Sequence, residues 1–398
     1  MRVIVNALVL THLMPMVPVA WGLRLAGHDV LVVGDADVAR AAGRAGLPSR
    51  RVGPADGGAE RWSRPLVAKS PFAVAGSGSK GPTEEPPWAQ MGQRWLARLD
   101  TYIDEYLELA RVWRPDLIIT DPLEWGGLVV GGALGVPVVV HRWGLDNMSS
   151  SLLKPGKLAL HELCVRLGSP DGLPDPVLVV DPCPPSVQSP NVTPAEPVRF
   201  VPYNGTATLP DWVLGPRPER RVFVSLGAWG TGRLAEQGKL DSIVDSIAAA
   251  VHEVDEVEAV LFLEERFRET LGPLPATVRV ADPLPVNLCL PYGDAIIHHG
   301  GSGTALTAFC YGVPQLVLAQ DGPLLVPNAE RVEASGGGRG IVDERERDDP
   351  AAIGKALGEI LTEERFREGA DRIRREMAAM PSPGLLGDLL EGIALGRV

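Results

Sequence analysis

Residues 3–10, Val-Ile-Val-Asn-Ala-Leu-Val-Leu, form an apolar, β-branched run. Such a run fits a parallel strand buried on both faces, and parallel strands need a crossover helix to return the chain. The next residues supply one. Residues 14–26 read as a helix closed by Gly27, residues 29–33 as a strand and 36–45 as a second helix. An amphipathic helix over 95–113, a strand over 116–120, a helix over 124–134 and a strand over 136–140 continue the alternation. This pattern predicts a doubly wound α/β domain.

A second alternating series follows. Strands are expected over 222–226, 257–263, 278–280, 295–298 and 315–319, and helices over 239–251, 303–311, 328–334, 351–361 and 365–379. A chain of 398 residues is long for one core, since domains cluster around about 100–150 residues. The reading is therefore α/β, two Rossmann-like lobes with a cleft between their carboxyl-end loops. Residues 1–209 form the first lobe, the proline-dense stretch ends in a linker over 210–220, and 221–380 form the second. Residues 381–398 are a tail expected to pack back toward the first lobe.

The formal charge of -12 argues against a nucleic-acid surface, which needs clustered Lys and Arg. The four cysteines, Cys164, Cys183, Cys289 and Cys310, have neither C-x-x-C nor metal-ligand spacing, so free thiols in a reducing cytoplasm are expected. The apolar start lacks signal-peptide features and is too short to span a bilayer. Residues 50–87 are rich in Gly, Pro and Ser, as in a long loop covering a site. Within them Gly76–Pro82 lacks the spacing of a P-loop. Asp35-Ala36-Asp37 has a metal-binding D-x-D form, but at a helix start capping explains it better. No G-x-G-x-x-G follows the first strand, so a dinucleotide is not expected.

The chemistry concentrates in His298-His299-Gly300-Gly301-Ser302-Gly303-Thr304. A strand ends, glycines turn the chain and a helix begins. Glycines admit a close ligand, while the helix start offers free N–H groups and partial positive charge. The segment reads as a diphosphate cradle without Lys or Arg; alternatively it is a turn that only packs helix on strand.

This motif resembles the nucleotide-sugar signature of GT-B enzymes that glycosylate natural products. Thr11-His12-Leu13-Met14-Pro15-Met16-Val17-Pro18 is similar to the opening of actinobacterial antibiotic glycosyltransferases. His141-Arg142-Trp143-Gly144, Asp181-Pro182-Cys183-Pro184-Pro185-Ser186 and Val201-Pro202-Tyr203-Asn204-Gly205 resemble the spinosyn rhamnosyltransferase group. The resemblance covers nearly the whole chain. It implies an inverting, metal-independent glycosyltransferase moving a deoxysugar from a TDP-sugar donor to a hydroxyl of a polyketide-type small molecule. No cofactor is implied, and relatives of this kind are often homodimers.

The same resemblance gives roles. His299 would contact the diphosphate, with Gly301, Ser302, Gly303 and Thr304 supplying N–H groups and hydroxyls, and Ser225 and Gly227 meeting it from the other side. Leu284 and Val286 would pack the nucleobase, though taken alone either reads simply as a core apolar residue. His12 would be the general base, since histidine titrates near the required pH, with Asp121 fixing its tautomer. On local grounds His12 could be a helix-start histidine and Asp121 a helix cap.

One departure stands out. The family's Asp-Gln pair for sugar hydroxyls is expected where this chain has Pro323-Leu324-Leu325, leaving Gln320 and Asp321 as substitutes. An acceptor surface is expected from Trp143, Asp146 and Ser149–Ser151, with a lid over 61–95. Trp143 could instead be a core aromatic. The alternatives to transfer are a catalytically silent sugar-nucleotide-binding helper and a GT-B sugar-nucleotide epimerase.

Overall fold

Among the described residues seven parallel strands make the first sheet: β1 (Arg2–Asn6), β2 (Asp29–Gly34), β3 (Ser49–Arg51), β4 (Leu117–Thr120), β5 (Val138–His141), β6 (Leu178–Asp181) and β7 (Glu196–Pro197). Their order is β3-β2-β1-β4-β5-β6-β7, every pair parallel. The computed structural model describes residues 1–53, 87–216, 218–320 and 325–397. These fall into two units, Met1–Cys183 with Ser189–Gly205 and Met380–Val398, and Pro184–Gln188 with Thr206–Ala379.

In the first unit β1 and β4 are buried along almost their whole length, as strands covered on both faces must be. Val3, Val5 and Ile119 join Val17, Leu23, Leu386 and Leu390 in one core, so the C-terminal helix Leu386–Ala394 belongs to this unit. Ile4 and Ile118 face a second core containing Trp95, Tyr106 and Trp125.

Several boundaries differ from the sequence reading. The first strand stops at Asn6 instead of residue 10, because the Leu8 N–H leaves the ladder and donates to Asp121 Oδ2 at 2.6 Å. A short helix, Leu10–Leu13, and a 3-10 turn then precede the helix Val17–Leu25. The expected helix over 95–113 is two, Pro87–Leu99 and Ile103–Trp113. A 19-residue helix, Ser149–Leu167, was unexpected, its start disguised by serines and its interior by Pro155.

The second sheet contains β8 (Arg220–Ser225), β9 (Val257–Phe262), β10 (Val278–Ala281), β11 (Ala295–His298), β12 (Gln315–Leu318) and β13 (Gly338–Ile341). The order is β10-β9-β8-β11-β12-β13, again all parallel. Val222, Val224, Ile297 and Leu316 pack against helices Leu240–His252 and Pro350–Thr362 through Ile243, Ile247, Ile353 and Leu357.

Both sheets reverse strand order between their first and fourth strands, at β1/β4 and β8/β11. Open α/β sheets bind ligands beyond the carboxyl ends of the strands at such a reversal. The candidate residues cluster at these two places.

Candidate active site

At the reversal of the first sheet, Asp121 follows β4 and is fully buried. Its Oδ1 accepts the Leu123 N–H at 2.8 Å and its Oδ2 the Leu8 N–H. His12, in the helix Leu10–Leu13, places Nδ1 3.2 Å from Asp121 Oδ1, with 18% of its side chain exposed. The ring N–H is not aimed straight at that oxygen. Burial alone would raise the Asp121 pKa, but His12 and the two backbone donors outweigh it and hold the carboxyl below its usual 3.8. Asp121 is not the cap of the next helix. Glu124 takes that role for Trp125–Leu134, accepting the Gly126 N–H, and is itself held by Arg98 at 2.6 Å and by the Tyr102 hydroxyl.

Trp143, just beyond β5, stacks on the His12 ring and is half-buried. Asp146 does not fit the expected acceptor contact. It is wholly buried, lies 3.4 Å from the Arg142 guanidinium, and accepts the Met148 and Ser149 N–H groups at the start of Ser149–Leu167. Arg142, the largest fully buried side chain, also donates to Asp181 at 2.8 Å and to the Thr193 carbonyl. Asp146 therefore supports the Trp143 loop from beneath.

The D-x-D segment behaves as a cap: Asp35 accepts the Asp37 and Val38 N–H groups, both at 3.0 Å. Among the described residues no group of three His, Cys, Asp or Glu is arranged to hold a metal, and no helix is long and apolar enough to cross a membrane. The four cysteines are free.

At the reversal of the second sheet, β11 ends at His298 and the helix Ser302–Tyr311 begins. Gly300 turns the chain with φ +96. Its N–H donates to His298 Nδ1 at 3.2 Å and its carbonyl accepts from the Asn328 amide at 2.9 Å. No side chain caps the helix, so its first N–H groups remain available to a ligand. Ser302 Oγ is buried without a hydrogen-bond partner among the described residues, while Gly301, Gly303 and Thr304 are half-buried beside it.

His299 faces Ser225 at the end of β8, its Nδ1 3.5 Å from the Ser225 carbonyl oxygen. A Cβ at Gly227 would lie 2.5 Å from the His299 ring and one at Gly301 2.6 Å away. Both positions must be glycine for the ring to sit where it does. Burial pushes the His299 pKa down, against a smaller upward effect of the Ser225 carbonyl.

Val286 is buried in a core with Phe223 and Phe262, against which Leu284 packs half-buried. Gln320 is buried and its amide has no partner among the described residues. It lines a cavity of about 190 Å³ with Leu226, Ser242, Leu318 and Arg347. Asp321, Pro323 and Leu324, the segment Gly76–Pro82 and the 61–86 part of the expected lid lie outside the described residues.

Sequence reasoning placed His298 in the cradle motif but gave it no role of its own, and it did not single out Gln315 or Asn328; the three together hold the glycine turn. A histidine and a glutamine within apolar strand runs were the available signal, since buried polar groups are kept where they are hydrogen-bonded.

Two Rossmann-like sheets in one chain, with a histidine–aspartate pair in one and a glycine-rich helix start in the other, define a glycosyltransferase of the GT-B class. The erythromycin biosynthesis protein CIII-like family matches twice, its N-terminal domain over residues 21–227 and its C-terminal domain over 245–392. The L-demethylnoviosyl transferase of Streptomyces niveus is 34% identical, over 99% of this chain and 98% of the relative. The TDP-daunosamine transferase DnrS of Streptomyces peucetius is 32% identical over 98% and 96%. The solved spinosyn rhamnosyltransferase SpnG superposes with a TM-score of 0.83 at 34% identity, covering 98% of this chain and 100% of that one. SpnG is also known complexed with thymidine diphosphate and with spinosyn aglycone. The chain belongs to the erythromycin biosynthesis protein CIII-like family of natural-product TDP-deoxysugar glycosyltransferases.

Proposed function

We propose that this enzyme transfers a deoxysugar from a TDP-sugar to a hydroxyl of a polyketide-type acceptor, with inversion and without a metal, using His12 as general base. The observation that carries the reading is the His12–Asp121 pair, 3.2 Å apart at the strand-order reversal of the first sheet. With Nδ1 turned to the carboxylate, Nε2 is left as the proton acceptor. The acceptor oxygen forms the new bond to the anomeric carbon as the bond from that carbon to the diphosphate oxygen breaks. The hydroxyl proton passes to His12 Nε2, and Asp121 stabilises the imidazolium.

TDP leaves on the second sheet's cradle. The N–H groups at Gly301, Ser302 and Gly303, the hydroxyls of Ser302 and Thr304, and His299 would meet its charge. Ser225 and Gly227 would close the other side, and Leu284 would cover the nucleobase, with Val286 in the core behind it. Gln320 is a candidate donor-sugar contact, and Trp143 a candidate acceptor surface. The sugars named for the transferase relatives, and the TDP and spinosyn aglycone complexes of SpnG, support this substrate pairing.

The test is product analysis of the wild type and His12→Ala with a TDP-deoxysugar, with and without a polyketide aglycone, in EDTA. The expected result is a glycoside of inverted anomeric configuration only when both substrates are present. Turnover by His12→Ala should fall by about 10²–10⁴-fold, the range for a lost general base. Wild-type turnover by His12→Ala would remove His12 from the mechanism, and donor conversion without acceptor would favour epimerisation.

A further inference from the structure

We propose that filling the cradle is coupled to protonation of His299, so that the ring becomes cationic when the diphosphate arrives. This rests on reading residues 298–304 as the donor-diphosphate site.

The two adjacent histidines are in opposite situations. His298 Nε2 lies 2.9 Å from Gln315 Oε1, and the Gln315 amide nitrogen donates to the Ala305 carbonyl, which turns Oε1 toward the ring. His298 Nδ1 accepts the Gly300 N–H. One ring nitrogen thus donates and the other accepts, which is the neutral form. Burial, with His299 alongside, pushes its pKa down to about 3. His298 is locked neutral by the turn it holds.

His299 has a different pair of neighbours. Nδ1 faces the Ser225 carbonyl oxygen, which can only accept, so Nδ1 carries the proton and Nε2 a lone pair. Cβ atoms at Gly227 and Gly301 would fall 2.9 and 2.6 Å from Nε2, so this edge of the ring occupies the space the two glycines leave open. A lone pair directed at a phosphate oxygen is repulsive; a proton there donates a charge-assisted hydrogen bond.

Among the described residues no Lys or Arg acts on the ring. Residues 225–227 and 298–304 contain neither Lys nor Arg. The end of β8 offers the Ser225 carbonyl and Gly227, β11 offers neutral His298, the helix Ser302–Tyr311 offers hydroxyls, and Gln320 beyond β12 an amide. Among the described residues no carboxylate acts on His299. Burial favours the neutral ring when the cradle is empty, and a diphosphate anion favours the charged ring when it is filled. Binding and protonation are then linked.

The experiment is calorimetric titration of TDP into the full chain at pH 7.5, in buffers of different ionisation heat. At that pH a terminal phosphate, with a second pKa of about 6, is already ionised. The expected result is net uptake of more than half a proton per TDP by the wild type. Affinity should weaken as pH rises, by up to about tenfold per unit. His299→Asn should bind more weakly, with no uptake and a flat pH dependence. Saturable binding with buffer-independent heat would overturn the coupling and leave the donor site standing. Equal uptake by His299→Asn would overturn the assignment to His299. No TDP binding by the wild type would overturn the donor site and the coupling together. The wild-type proton count needs no variant, so it decides the coupling even if Asn at 299 prevents folding.

Discussion

The imidazole of His12 lies face to face with the indole of Trp143, ring centroids 4.6 Å apart and planes 20° from parallel. The indole is itself fixed, its Nε1–H donating to the Leu145 carbonyl at 3.1 Å. His12 is thus held at its edge by Asp121 and across its face by Trp143. When the base takes a proton it becomes a cation on an aromatic face, a contact worth ~0.5–2 kcal/mol. Trp143→Ala should therefore lower kcat by about 2–30-fold and shift the pH–rate profile, while TDP affinity stays constant. Trp143→Phe should recover most of the rate. An unchanged kcat and profile in Trp143→Ala would show that the stacking does not serve the base.

Asp121→Asn is nearly isosteric and removes the charge opposite His12, while its amide nitrogen leaves one of the Leu8 and Leu123 N–H groups without an acceptor. The wild-type carboxyl titrates below 3.8 despite burial. A depressed carboxylate pKa stabilises the fold above the unfolded value, and this is lost as pH falls through the folded value. The wild type should be the more stable of the two at pH 7, with the gap in Tm closing below about pH 4, the unperturbed carboxyl range. Thermal melts of both proteins at pH 7 and 3.5 read this directly. A gap that stays constant would place the effect in packing instead of charge. Turnover at pH 7 should fall in Asp121→Asn because the imidazolium loses its counter-charge.

Gly227 and Gly301 make one prediction from opposite sides. A methyl at either meets the His299 ring at 2.5 or 2.6 Å, and Gly227 additionally has φ +71. Gly301→Ala, with ordinary backbone angles (φ -62, ψ 131), should displace the imidazole with little loss of Tm. TDP affinity should weaken by more than about tenfold, or 1.4 kcal/mol. If the loss acts through the ring, adding Gly301→Ala to a His299→Ala background should cost almost nothing further. Gly232→Ala, where nothing lies within 4 Å of the new methyl, should bind TDP like the wild type. Additive losses in the double variant would show that the glycine acts on the ligand directly.

Alternating strands and helices were legible because a buried parallel strand needs an apolar β-branched run, and β1, β4, β8, β11 and β12 all carry one. The glycine turn was legible too, since few other residues bring a strand end so close to a helix start. Less legible was anything set by a distant partner or by burial. Leu8 and Val9 look like strand, yet a carboxylate 113 residues away takes the Leu8 N–H. Asp146 looks like a surface ligand residue until Arg142 is found buried beside it. Helix Ser149–Leu167 depends on that same carboxylate to hold its start. The first contact spans the sequence, and the other two rest on the burial of Arg142 and Asp146, which spacing alone does not reveal.

His141 and His298 predict how each unit responds to acid. His141 is buried with Nδ1 against the Arg142 carbonyl, and burial pushes its pKa down to about 4. His298 is pushed down to about 3. In the unfolded chain both would titrate near 6.5. Between those values the unfolded state binds more protons than the folded one, so stability falls as pH falls. The loss begins near 6.5 and continues toward the folded values, at roughly 1.4 kcal/mol per pH unit for each histidine. One histidine lies in each unit, so neither unit escapes. Urea unfolding at pH 7.5, 6.5 and 5.5 should show a shallow change across the first step and a steep one across the second. His298→Gln removes one of the second unit's two depressed histidines and leaves His299. It should be less stable than the wild type at pH 7.5, because the Gly300 N–H loses its acceptor, yet lose less between 6.5 and 5.5. Equal losses in the two proteins would mean that His298 protonates without unfolding, and the neutral pin holding the glycine turn would have to be abandoned.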